Sequence, residues 1–200
     1  MGSTPLTSDE KRTLLRVARS AVVHRTRSEA KPTLADLDSP VITERLATPQ
    51  GAFVTIEKRG ELRGCIGLLH PLMPLWETVA ENAIRAGWGD PRFDSLRVEE
   101  IPLIDIEVTT IESMEPITEP SEIEIGTHGL LIEAQGQRGV LLPQVASERR
   151  WDAQQFLGAV CRKAGLAPDA WRSPGASLWR FSAEHFSEQS EHVTPSPRGR

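Results

Sequence analysis

The stretch "ELRGCIGLLHP", residues 61–71, holds one of the two cysteines of the chain, with Arg63, Gly64 and Gly67 around it and His70 close behind. A cysteine reacts or ligates as its thiolate, and a permanent cation nearby favours that form. In an extended strand, residues two apart share a face with Cα atoms about 6.6 Å apart. Arg63 is therefore expected to reach Cys65 and lower its pKa. Gly64 and Gly67 remove side chains beside the sulfur, which lets a ligand or another backbone approach. His70 and Asp90 are candidates for a base and for the carboxylate that orients it. The segment "DPRF" at 90–93 adds Arg92, and an Arg63–Arg92 pair facing one cleft would suit a phosphate or carboxylate. Packing offers a plainer account. Free cysteine is among the most buried residue types, and an aspartate before proline caps the amides of a turn.

Other chemistries find less footing. Four residues and a strand-to-loop transition separate Cys65 from His70, while His24, His128, His185 and His192 are scattered without ligand spacing, so no metal site and no cofactor are expected. No glycine-rich phosphate loop of the GxGxxG, GKS or GKT type occurs. Cys161 shares an apolar helical face with Leu157, Val160 and Ala164, which assigns it to the core. Two cysteines about a hundred positions apart cannot build the disulfide framework of a small secreted scaffold. A net charge of −5 over 200 residues, with no run of five like charges, leaves no footprint for sequence-independent nucleic-acid binding or for an acidic membrane surface. The start, "MGSTPLTSDEKR", has no apolar signal core, and no stretch approaches the roughly 18 apolar residues of a spanning helix. These readings predict a cytoplasmic protein.

The elements that must position Cys65 and Asp90 follow from periodicity. Thr7 and Glu10 form a capping box ahead of Leu14, Leu15, Ala18, Ala21 and Val22, which predicts a helix over about 8–24. Residues 27–50, broken by Pro32, Pro40 and Pro49, read as loop with a helical turn near 41–46. "AFVTIEKRGELRGCIGLL" alternates on both sides of "KRG" and predicts a hairpin with Gly60 at φ > 0 and Cys65 near the end of the second strand. Pro74 opens a helix with an apolar stripe through Leu75, Trp76, Val79, Ala83 and Ile84, closed by Gly87. "LIDIEVTTIE" at 103–112 is a half-buried strand. "GLLIEAQGQRGVLLPQV" reads as a second hairpin around Gly136, Asp152 and Gln155 cap another helix that ends at Gly165, and "SLWRFSAEHF" is a last strand. Strands in antiparallel hairpins mixed with helices indicate an α+β class. The chain length suits one domain over 1–188, with room for a small lobe within about 115–150, and the polar residues 189–200 are expected to be a disordered tail.

"LRGCIG", "GDPRFDSL", "LLPQVASERRWD", "FLGAVCRKAGL" and Trp171, in that order, resemble the AMMECR domain family over about residues 10–188. The resemblance implies an α+β fold, an antiparallel sheet packed with helices in two unequal lobes with a cleft between them. It also implies Memo-family and radical-SAM proteins as partners and a role in modifying RNA or protein. In "RAGWGDPRF" the chain departs from the family pattern at Gly87, Trp88 and Gly89, which predicts a more mobile approach to Asp90. Two readings stay open. In one, the domain is a binding or accessory module for a small anionic ligand, a nucleotide or a partner, held by Arg63, Gly64, Gly67 and Arg92. In the other, it is an enzyme with Cys65 as nucleophile, helped by His70 and Asp90.

Overall fold

A computed structural model describes residues 5–28, 30–37, 41–70 and 72–193. Its elements are α1 (Ser8–Arg25), α2 (Glu44–Ala47), β1 (Ala52–Lys58), β2 (Glu61–Leu68), α3 (Leu75–Trp88), β3 (Ile104–Pro116), β4 (His128–Ala134), β5 (Gln137–Leu141), α4 (Pro143–Glu148), α5 (Ala153–Lys163) and β6 (Ser177–Ser187). The strands are hydrogen-bonded in the order β2-β1-β3-β6-β4-β5. β1 pairs antiparallel with β2 and β3, and β4 pairs antiparallel with β5 and β6. The fold is α+β. Among the described residues, no helix is long and apolar enough to cross a membrane.

The described residues divide into two compact units. One comprises 5–110 with 185–193, and the other 111–184. In the first, α3 packs on the β1–β2 hairpin and α1 packs on α3. Leu14, Leu15, Ala18 and Val22 of α1 meet Leu75, Val79 and Ala83 of α3 and Val54 and Ile56 of β1 in a core from which water is excluded. Burial of these side chains, about 1.5–3 kcal/mol for each large one, is the main favourable contribution. In the second unit, α5 packs on β4 and β5 over Phe156, Leu157, Val160, Cys161, Leu130 and Ile132.

Local signals place most of these elements. The Thr7–Glu10 capping box starts α1, and the Asp152–Gln155 box starts α5. Both hairpins turn through two residues at positive φ, Arg59–Gly60 and Gln135–Gly136, the backbone sense that matches the twist of paired strands. Two boundaries need correction. Gly87 does not close α3, which runs on to Trp88 with Gly89 as its C-cap. Buried Gly87 instead accepts a hydrogen bond from the Leu96 N–H at 2.7 Å. The second hairpin stops at Leu141, because Pro143 cannot donate to a ladder and begins α4 as its first residue. Of the expected tail, residues 189–193 form a hydrogen-bonded turn in which the Val193 N–H donates to the Glu188 carbonyl at 2.8 Å and Val193 packs on the core. Residues 194–200 lie outside the described residues.

A buried charge cluster ties the end of β6 to α1 and β3. Arg19, 7% exposed, donates to both carboxylate oxygens of Glu188, 3% exposed, and to the carbonyls of Ile101 and Ile104 at 2.9 Å each. Glu188 also accepts the Ile106 N–H at 3.0 Å. Next to this pair, burial and the charges of Glu188 and Glu57 push Asp105 up to about 6, against the opposing pull of Arg19; Glu57 sits directly across from it on β1. A carboxyl whose folded pKa is raised binds its proton more tightly when folded, so its contribution to stability falls as pH rises from about 4 to 6 and the penalty is complete above that. Asp105→Asn removes this dependence. The Tm advantage of the variant over the native protein should therefore grow between pH 4 and pH 7 in differential scanning calorimetry; a constant difference would show that Asp105 titrates normally.

Candidate functional site

Cys65 lies half-buried on β2, opposite Thr55 of β1. Its environment differs from the one the strand period implies. Between the Ile56–Gly64 and Glu57–Leu62 pairs the register slips by one, leaving Arg63 as the extra residue of a β-bulge. A bulge breaks the alternation that would put Arg63 and Cys65 on one face. The Arg63 guanidinium turns instead to Glu100, from Nε at 3.2 Å and Nη2 at 3.1 Å, and to the carbonyls of Asp94 at 2.8 Å and Ser95 at 3.3 Å. It does not activate the thiol. Burial pushes the Cys65 thiol above its ordinary pKa, and the neighbouring charges of Asp90 and Glu107 add to that, against a hydrogen bond from the Thr55 hydroxyl at 3.3 Å and the charge of Arg92. The expectation of an Arg63-activated cysteine is thereby overturned.

The two glycines are also explained by the protein itself. A Cβ on Gly64 would sit 2.0 Å from the Ala86 carbonyl oxygen, so the α3 backbone occupies that space. One on Gly67 would fall 2.0 Å from the Phe53 ring. Neither glycine opens room for a ligand beside the sulfur; Gly64 lets helix and strand approach closely, and Gly67 accommodates an aromatic ring.

Asp90 and Arg92 form the centre of the site. Asp90, 5% exposed, accepts the Cys65 N–H at 2.9 Å and the Arg92 N–H at 3.1 Å. The Arg92 side chain grips the same carboxylate in a fork, Nε to Oδ1 at 2.9 Å and Nη2 to Oδ2 at 2.6 Å. Hydrogen bonding from Arg92 holds the Asp90 carboxyl far below the usual range, with the Cys65 N–H assisting against the cost of burial. Asp90 is thus a fixed anion, where a mobile approach was expected, because α3 continues through Trp88 and delivers it directly. His70 is exposed past the end of β2, and among the described residues no imidazole is hydrogen-bonded to Cys65 or Asp90. Arg63 and Arg92 do line one groove of about 850 Å³, together with Lys58, Phe93, Arg97 and Glu100.

Glu100 is the residue the sequence reading missed. It accepts Lys58 Nζ at 2.8 Å as well as the Arg63 fork and the Arg97 N–H at 3.0 Å, and Arg63 holds its carboxyl well below the ordinary value. Nothing in "RVEEIP" marks Glu100 above Glu99; only the bulge at Arg63 does. Among the described residues, no group of three or more His, Cys, Asp or Glu side chains is arranged to hold a metal ion.

The sequence matches the AMMECR1 family over residues 15–186. It is similar to a protein of Methanothermobacter thermautotrophicus, with 43% identity covering 94% of this chain and 99% of that one. A protein of Methanopyrus kandleri is 42% identical, covering 92% and 91%. The crystal structure of Uncharacterized Protein PH0010 from Pyrococcus horikoshii matches with a TM-score of 0.80 and 35% identity, covering 90% of this chain and 92% of that one.

Two measurements test this geometry. Iodoacetamide should alkylate Cys65 with an apparent pKa above that of a free thiol, and Arg63→Ala should leave that value unchanged; a depressed pKa that rises in the variant would restore the activated cysteine. Asp90→Ala should cost about 1–3 kcal/mol in urea denaturation, since the Cys65 N–H loses its acceptor while half-exposed Arg92 can turn to water.

Proposed function

The chain belongs to the AMMECR1 family, and on that premise we propose that it works as a binding module whose groove beside β2 receives an anionic group. The observation that carries this reading is what the ion pairs leave over. Arg92 spends Nε and Nη2 on Asp90, but its Nη1 has no hydrogen-bond partner among the described residues and its side chain is 47% exposed. Arg97 lines the same groove, is exposed, and forms no salt bridge among the described residues. Two guanidinium groups, one of them anchored, can present N–H donors to a carboxylate or phosphate. Phe93 and Leu103 supply apolar wall, and Asp94 and Glu99 at the same groove favour a ligand of low total charge over a polyanion. Memo-type and radical-SAM proteins are the partners such a module would serve.

A nucleophilic Cys65 has less to support it. Its thiol is raised by burial, and no base is bonded to the sulfur among the described residues. Recognition needs only what the groove presents.

Anion binding to the folded state raises Tm by ligand linkage. Millimolar inorganic phosphate should raise the Tm of the native protein, and Arg97→Ala should abolish that rise while leaving the Tm without phosphate unchanged. No shift in the native protein with phosphate or with citrate would sink the proposal. Arg63→Ala is unsuitable as the test, because it would strip Glu100 of a structural partner.

A further inference from the structure

Three of the stretches that stand out in the sequence, "LLPQVASERRWD", "FLGAVCRKAGL" and Trp171, play no part in the groove beside β2. They meet along α5, within residues 111–184, in a second groove of about 660 Å³. We propose that this groove docks a short extended segment of a partner protein in which an acidic residue stands beside a proline or large apolar residue.

The lining carries each part of that ligand. Trp151 and Trp171 are half-buried, packed against the core around Phe156 and Leu157. Rings anchored in this way offer an apolar surface at little cost in conformational entropy. The Arg172 guanidinium lies 4.4 Å over the Trp171 ring, and Arg149 lies 5.3 Å from the centre of Trp151. Stacking steers an arginine without satisfying its charge. Arg162 and Arg172 both line the groove, and neither forms a salt bridge among the described residues. They are placed to receive a carboxylate. Gln154, exposed on the same face of α5, has an amide that can both donate to and accept from a peptide main chain.

Gly158 supplies an independent observation. It lies inside α5 and is buried, a position where glycine is among the worst helix formers. Packing does not demand it. A Cβ there would meet Arg162 Nη1 at 3.5 Å and Pro168 at 3.6 Å, which are ordinary contacts. Gly158 is one of the lining residues, between Arg162 and Pro168, so a side chain at 158 would narrow the groove there.

The class of ligand follows from the chemistry of the lining. Two indole rings stand beside two guanidinium groups and two glutamine amides, a mixture that suits a segment of chain carrying both apolar and acidic side chains. Residues 111–184 hold ten Asp and Glu against seven Lys and Arg, an overall balance that disfavours the repeated phosphates of a nucleic acid. Asp169 in the lining works against a uniformly acidic run. One acid beside a proline or bulky apolar residue fits the pair of arginines and the pair of tryptophans.

The full chain is used to select phage-displayed random dodecapeptides, and the best peptide is then titrated by fluorescence anisotropy. The selected peptides should place Asp or Glu within two residues of Pro, Trp, Phe or Leu. Arg162→Glu and Arg172→Glu should each weaken binding at least tenfold, and Arg97→Ala, on the other groove, should leave it unchanged. Gly158→Ala should raise Tm by about 2–4 °C, because helix propensity improves, and weaken the peptide at the same time. Selected peptides without an acidic residue would overturn the proposal. So would binding indifferent to Arg172→Glu and Gly158→Ala, binding lost on Arg97→Ala, or a labelled oligouridine that binds more tightly than any peptide. Failure of the phosphate experiment leaves this result untouched, since the two grooves share no residue.

Discussion

The groove beside β2 depends on one carboxylate. β2 ends the strand order, so among the described residues its outer backbone has no neighbouring strand to pair with, and an uncovered edge of that kind invites pairing with other chains. Asp90 closes part of it by accepting the Cys65 N–H. The same carboxylate holds the Arg92 side chain in a two-point fork, so the segment after α3 and the strand carrying Cys65 are joined through a single buried anion. Charge-assisted hydrogen bonds of this sort are roughly twice as strong as neutral ones, and here they offset the cost of burying the charge. Close approach of α3 to β2 is the precondition. Gly64 allows it by leaving room for the Ala86 carbonyl.

Glu100 does for the far end of the groove what Asp90 does for the near end. It gathers Lys58 from β1 and Arg63 from the bulge of β2, neutralising both. Arg63 and Arg92, the cations that look most functional in the sequence, therefore have structural partners, and the donors left over in the groove are those of Arg92 Nη1 and of Arg97. Of these two side chains Arg92 is the one held in place, by its fork on Asp90, and a donor fixed in that way would lose little freedom on meeting a ligand.

Polar groups serve as ties elsewhere as well. Arg19 and Glu188 bury an ion pair whose net worth for stability is small, since desolvation consumes most of the attraction, yet removal of either partner would strand the other. Its role is to specify where the end of β6 lies against α1 and β3. The α5 groove works the other way. There, arginines lie on tryptophan rings without carboxylates, and a helix tolerates an interior glycine that its packing does not require. Beside β2, Lys58, Arg63 and Arg92 are paired with carboxylates, whereas along α5 neither Arg162 nor Arg172 forms a salt bridge among the described residues.

Amphipathic period, capping boxes and turn residues act within a few positions of themselves, so the sequence alone determined α1, α3, α5, both hairpin turns and the α+β class. Boundaries that hang on local chemistry, such as the Thr7–Glu10 and Asp152–Gln155 boxes, were equally legible. Cys65, Asp90, Arg63 and Arg92 could be singled out by residue type, but their roles could not. A bulge at Arg63 shifts the strand period by one residue, and a bulge is a property of paired strands. Which acid meets Arg63 depended on Glu100, 37 positions away, and whether Gly64 and Gly67 faced a ligand or the protein depended on Ala86 and Phe53. The thiol's pKa was decided by burial, which is a sum over neighbours from distant segments. Only the tertiary structure brings those neighbours together, because local preferences act over a few residues and the partners of a side chain in a sheet-and-helix fold come from anywhere in the chain.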